Sequence, residues 1–222
     1  MNKQALIDYL KELVTAKRFD TFNRVLNQRT RYISVVLEDI FQGHNASAVL
    51  RSCDCFGVQN IHMIENSNEF LTNPEVAMGS SQWLSLFHHN KHENNSLSTI
   101  EYLRKEGYRI VATTPHTKDC LLEDLDLKKG KIALFFGSEL PGLSNIVMDN
   151  ADEFVRIPMV GFTESFNISV SAALSLYDLT SRLRNSDIKW QLSELEKNDI
   201  LFEWLKTSIK DSERILKRYK KD

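Results

Sequence analysis

The spacing of hydrophobic positions changes several times along the 222 residues, and each change marks an element. Leu6, Tyr9, Leu10 and Leu13 recur at helical spacing, which predicts a helix over residues 2–14, with a second over 20–28. From residue 32 the pattern shifts to short apolar, β-branched runs. Residues 32–37, 58–64, 108–113, 131–136 and 153–157 read as buried strands, and residues 83–87 as a short further one. Helix-like segments lie between them at residues 45–55, 96–105 and 141–149, and a long one covers 167–184. Gly57 and Gly107 stand where the first two of these must stop. Strands alternating with helices predict an α/β fold, a parallel sheet flanked by helices. From about residue 190 Leu201, Trp204, Leu205, Ile209, Leu216 and Tyr219 form the apolar stripe of an amphipathic helix. The expected organisation is an N-terminal helical extension (1–30), an α/β domain (31–185) and a C-terminal helical extension (186–222).

One stretch departs from this regularity. Residues 159–174 read MVGFTESFNISVSAAL, and no charge occurs between Glu164 and Asp178. Surface helices of soluble proteins carry charges on their outer face. This helix is small and neutral throughout, and it opens through Ser165-Phe166-Asn167.

Composition adds limits. Apolar residues make up 42% and charged residues 26%, as in soluble globular chains. No apolar run approaches the length of a membrane span. The N-terminal residues lack the apolar core and cleavage site of a signal peptide. Cys53, Cys55 and Cys120 form neither a disulfide framework nor a CxxC zinc pair, so a cytoplasmic compartment is expected. His88, His89 and His92 lie in an Asn-rich polar turn, read as a solvated loop, and no metal is expected. The net charge of −2 hides an asymmetry: residues 1–31 net +4, residues 182–222 net +3, and the middle nets −9. A basic periphery suits an anionic partner such as RNA, although solvated helix faces account for the same pattern.

Candidate chemistry follows from the sheet. Parallel sheets bind ligands outside the carboxyl ends of their strands. Three post-strand loops carry polar groups that the strands do not need: residues 38–45, 137–144 and 158–167. Gly137, directly after a buried strand, permits close approach of a ligand to backbone, and Pro141-Gly142 sets a tight turn. A plain βα turn with Glu139 as a favourable charge near a helix N-terminus fits the same residues. No Gly-x-Gly loop follows the first strand, and no Walker A, HExxH or GxSxG motif is present.

Taken together, the three loops resemble the motifs of the SpoU/TrmH (SPOUT) family of RNA ribose 2'-O-methyltransferases. The first is Asn45-Ala46-Ser47-Ala48-Val49-Leu50-Arg51, with Phe56-Gly57 following. The second is Phe136-Gly137-Ser138-Glu139-Leu140-Pro141-Gly142-Leu143. The third joins Ile157-Pro158-Met159 to Ser165-Phe166-Asn167-Ile168-Ser169-Val170-Ser171, with Phe166 where the family more often has leucine. The resemblance spans residues 30–184. It implies a C-terminal trefoil knot, S-adenosylmethionine (SAM) as cofactor, and a homodimer with its active site near the interface. The helical extensions, the Arg29-Thr30-Arg31 segment and the His44-Asn45 start look like the tRNA branch that methylates the D-loop guanosine, position 18. A ribosomal RNA methyltransferase of the same family is the alternative. A non-catalytic RNA-binding protein on this fold is a further one, against which the retained polar residues argue.

The resemblance also implies roles. Arg51 would grip the RNA phosphate beside the target ribose, its planar fork suiting phosphate. Asn45 is an N-cap or a residue orienting Arg51, and Glu139 would hold Arg51 or Asn45. Ser165 and Asn167 would supply polar contacts, with Asn167 also able to cap its helix. Thr113, Gly137, Ile157, Met159 and Phe166 would hold SAM, largely through backbone.

Overall fold

The computed structural model describes residues 3–71, 73–115, 120–139 and 141–219, in two compact units. Met1 and Asn2, where the first helix was expected to start, Leu140 of the second motif and the last three residues lie outside the described residues. One unit comprises residues 1–30 with 191–222, and the other residues 31–190.

The first unit opens with α1 (Lys3–Lys11) and α2 (Ala16–Leu26). Thr15 starts α2 earlier than the apolar spacing indicates, because its side chain accepts from the Arg18 N–H.

The second unit holds a seven-stranded, wholly parallel sheet. In chain order it runs β1 (Ile33–Glu38), α3 (Gly43–Phe56), β2 (Asn60–Ile64), α4 (Pro74–Ala77), β3 (Ser85–His89) and α5 (Asn95–Lys105). It continues through β4 (Arg109–Thr113), β5 (Cys120–Leu121), β6 (Ile132–Phe136), α6 (Asn145–Asn150), β7 (Glu153–Arg156) and α7 (Ile168–Arg184). The spatial order is β3-β2-β1-β6-β4-β7-β5. β6 is the middle strand, and β1 beside it has Val35 opposite both Ile61 and Leu134.

Alternation along the strands divides the core. Val35, Leu37, Ile61, Met63, Leu134 and Phe136 pack with α3 and α7 residues such as Val49, Leu50, Leu176 and Leu179. Val36, Ile64, Ile110 and Phe135 face the other way, against Ile100 and Leu103 of α5 and Val147 of α6. Each such fully buried aliphatic side chain contributes roughly 1.5–3 kcal/mol relative to exposure. β1, β2 and β6 are buried on both faces, which is why they read as nearly continuous apolar runs rather than alternating ones.

Local differences from the sequence pattern have local causes. Residues 80–83 form a 3-10 turn, so β3 starts at Ser85 and carries His88 and His89. The histidines therefore do not all lie in a solvated loop: His89 is half-buried and its Nε2 lies 2.9 Å from Nδ1 of buried His62. α6 starts only at Asn145, where the Ser144 side chain caps it. β5, two residues long, is too short to leave a periodic signal.

The chain then returns to the first unit with α8 (Glu194–Ser208) and α9 (Ser212–Tyr219). The single tail helix expected from the apolar stripe is broken, since Asp211 adopts φ 58° between the two. Ser193 and Glu196 form a reciprocal capping box at the start of α8. α8 packs on α1 and α2 through buried Leu10, Phe22, Leu26, Leu201, Trp204 and Leu205. Tyr9 stacks on Tyr219 with ring centroids 4.2 Å apart, and Arg29 lies buried over the Trp204 ring at 5.4 Å. Thr30 and Gln191 form an antiparallel bridge. The two extensions read separately from sequence thus make one helical unit.

Candidate active site

The loops after β4, β6 and β7 meet at the carboxyl edge of the sheet around a cavity of ≈ 600 Å³. It is lined by Thr113, Gly137, Glu139, Ile157, Met159, Ser165, Phe166 and Asn167, so eight of the ten residues singled out from sequence come together there.

The loop after β6 takes its shape from two glycines. Gly142 has φ +69°, and its N–H donates to the Ser138 carbonyl at 3.0 Å. A Cβ on Gly137 would lie 2.1 Å from the Gly142 carbonyl carbon. The close approach that requires glycine here is therefore made by the loop's own returning backbone, and not by a ligand as the sequence alone suggested. Thr113, at the end of β4, donates its hydroxyl to the Phe135 carbonyl at 2.7 Å, tying two pocket-forming strands together.

A triangle of side chains sits on one wall. The Asn45 amide donates to Glu139 Oε1 and, at 3.1 Å, to Gln42 Oε1. The Asn167 amide donates to Asn45 Oδ1 at 3.1 Å and to Glu139 Oε1 at 3.3 Å. One carboxylate oxygen thus collects two amide donors from the starts of two different helices, which fixes the loops of all three motifs against each other. Asn167 is also the N-cap of α7, since its Oδ1 accepts from the Ser169 N–H at 2.8 Å and the Ser169 hydroxyl at 2.6 Å. Its two ends do two jobs at once.

Asn45 does not cap α3. The helix begins at Gly43, with Gln42 in the cap position and making no side-chain cap bond, which places Asn45 in the first turn. Its side chain, buried, is free to serve the triangle. Nor does Asn45 orient Arg51 by direct contact. Six residues advance a helix about 9 Å and roughly 240° around its axis, so the two side chains leave from different faces. Arg51 is exposed and makes no hydrogen bond or ion pair with any described residue, Glu139 included. Ser165 lines the cavity without a hydrogen bond to a described residue.

Sequence reasoning passed over Gln42, Thr114, Arg156 and Glu164. Gln42 joins the triangle, and the other three line the cavity. Their common signal is position: each immediately follows or ends a parallel strand, or lies in a loop leaving one. Among the described residues no group of three metal-binding side chains occurs, and no helix is long and apolar enough to cross a membrane.

Comparison with known proteins fits this geometry. The chain is 43% identical over 205 residues to the tRNA (guanosine(18)-2'-O)-methyltransferase of Borreliella burgdorferi, covering 92% of both chains. It is 32% identical over 170 residues to the enzyme of the same name from Thermus thermophilus, covering 76% of this chain and 84% of that one. The solved TrmH/SpoU tRNA-modifying enzyme of A. aeolicus superposes with a TM-score of 0.76 at 26% identity, covering 88% of this chain and 98% of that one. Residues 32–177, which contain all three loops, match the SpoU rRNA Methylase family, and this chain belongs to that family.

Proposed function

We propose that the protein transfers a methyl group from SAM to a ribose 2'-hydroxyl of tRNA, at the D-loop guanosine, position 18. The observation that carries this reading is the convergence of the second and third motif loops on one cavity, with the first motif tied to them by the Asn45–Glu139–Asn167 triangle. The relatives named above, matched over most of their length, supply the choice of tRNA.

The residues present fit SAM. The cavity volume lies within the range of small-molecule sites, and Phe136, Leu143, Met148 and Ile157 offer apolar walls beside backbone-rich glycine turns. Glu139 and Glu164 place carboxylates on the lining, where they favour a cationic sulfonium. When bound, SAM supplies a methyl group activated by that positive sulfur. Thr113, Gly137, Ile157, Met159 and Phe166 hold it, largely through main chain.

The rest of the chemistry belongs to the RNA and the protein. A ribose hydroxyl is a weak nucleophile and must lose its proton as the methyl arrives. Arg51, exposed and unengaged with described residues of its own chain, clamps the phosphate next to the target ribose and stabilises charge. A guanidinium stays protonated, so the proton passes to phosphate or water and not to Arg51. Ser165 and Asn167 position the ribose. No step calls for a metal.

A second copy of the chain completes the site. Val170, Leu174 and Tyr177 form one exposed apolar face of α7, and Val160, Phe162 and Phe166 in the loop leading into it are exposed too. Soluble monomers rarely leave such a continuous patch uncovered. The trefoil knot and a cytoplasmic location complete this reading. The helical unit, with exposed Lys17, Arg18, Lys217 and Arg218, meets the tRNA backbone.

Incubating the protein with methyl-labelled SAM and, in parallel, an unmodified tRNA transcript or unmodified ribosomal RNA, then mapping the modified nucleoside, tests the proposal. Label at the D-loop guanosine is expected. Label in ribosomal RNA instead, or in neither, overturns it.

A further inference from the structure

β1 ends in Glu38, a carboxylate only 2% exposed beneath the carboxyl edge of the sheet. Burying a carboxylate is costly unless donors surround it. Here they do. Oε2 accepts from the Ser144 N–H at 2.8 Å, and Oε1 accepts from the Ser144 hydroxyl at 2.7 Å and the Ser96 hydroxyl at 2.5 Å. Ser144 is the residue at which the loop after β6 ends and α6 begins, its hydroxyl also accepting from the Val147 N–H.

The loop therefore has two fixed ends. β6 holds its start through the sheet, and Glu38 holds its exit. Between them lie Gly137, Glu139, Pro141, Gly142 and Leu143, all on the cavity wall. Glu38 does not line that cavity. We propose that Glu38 is a positioning residue for the methyl-transfer site: through Ser144 it sets the loop that shapes the SAM pocket and presents Glu139 to Asn45 and Asn167. The proposal rests on the assignment of this cavity to SAM.

Ser96 provides an internal control. It bonds the same oxygen from α5, and its own hydroxyl accepts from Asn66 at 2.8 Å, away from the loop after β6. If Glu38 merely supports the fold, losing either serine has the same consequence. If it sets the loop, only Ser144 matters for the cofactor. Glu38→Gln keeps the shape but turns an acceptor into a donor facing donors.

The experiment measures SAM affinity by calorimetry for Glu38→Gln, Ser144→Ala and Ser96→Ala, well below each thermal midpoint. Glu38→Gln and Ser144→Ala should each raise the SAM Kd on the order of tenfold, as expected for a lost charge-assisted bond. The double variant should be no worse than the weaker single, because both act through one link. Ser96→Ala should lower the thermal midpoint and leave Kd within about twofold. Unchanged Kd in the first two variants, or an equal rise in Ser96→Ala, overturns the proposal. Should the wild-type protein fail to bind SAM, the assignment of the cavity falls first and this role with it.

Discussion

The helices α3 and α7 pack together on the same face of the sheet, and each leaves a motif loop, yet they face outward differently. α3 shows Arg51 to solvent and buries Asn45, Ala46, Val49, Leu50 and Cys53. α7 buries Ile168, Ala172, Leu176, Leu179 and Leu183, but its other side is apolar too, through Val170, Leu174 and Tyr177. One helix exposes a charge, and the other exposes an apolar surface. The proposed second copy of the chain would account for the absence of charge between Glu164 and Asp178, since it would cover the outer side of that helix. A helix with one wet face needs charges, and a helix with two dry faces excludes them.

The sharpest way to break this comparison is at Arg51. Arg51→Ala should reduce methyl transfer by about 10³-fold while SAM affinity stays unchanged, on the proposed role of the guanidinium in gripping RNA and not the cofactor. Loss of SAM binding in a folded variant would contradict that division. The matching change on α7 is Asn167→Ser. It keeps an oxygen able to cap the helix and removes the amide that reaches Glu139. Activity should fall by about 10²-fold with a nearly unchanged thermal midpoint, whereas Asn167→Ala should also cost about 1 kcal/mol of stability. Equal stability loss in the two variants would remove the double role of Asn167.

Leu174→Glu probes the outer face of α7. It should weaken self-association about thirtyfold, read by sedimentation, and activity should fall with the dimer. A fully active monomer would refute the shared site. A separate effect, on stability alone, belongs to the opposite face of the sheet, independent of both helices. His62 is pushed down to about 3, first by burial and then by neighbouring His89. The folded protein therefore keeps it neutral, while the unfolded chain takes up its proton below about 6.5. Stability should fall as pH drops from about 6.5 towards 3, by up to about 1.4 kcal/mol per pH unit from this group. Urea unfolding at several pH values checks it, and His62→Gln should flatten that slope.

Much of the fold was legible because its inner strands β1, β2 and β6 are buried on both faces and several of its helices begin or end on recognisable caps. The candidate residues were legible because parallel sheets gather loops at one edge, and eight of ten line one cavity. What stayed hidden depends on contacts between distant residues. Nothing near Gly137 announces that residue 142 folds back on it. Asn45 reads as a cap until Glu139, far along the chain, claims its amide. Glu38 looks like the polar end of a strand until Ser144 and Ser96 arrive around it. Asp211 breaks a helix whose apolar stripe continues across the break, so periodicity alone joins the two pieces.

The pairing of α8 with α1 and α2 also sets an order of events during synthesis. Residues 31–190 contain every strand of the described sheet and are complete before α8 is made. α1 and α2 emerge earlier and must wait, because the helix that covers their apolar faces is made after the whole sheet domain. α1 and α2 are thus among the last helices to reach their final packing. Until then they leave Leu10, Phe22 and Leu26 uncovered, a window in which chaperones or proteases find their easiest access.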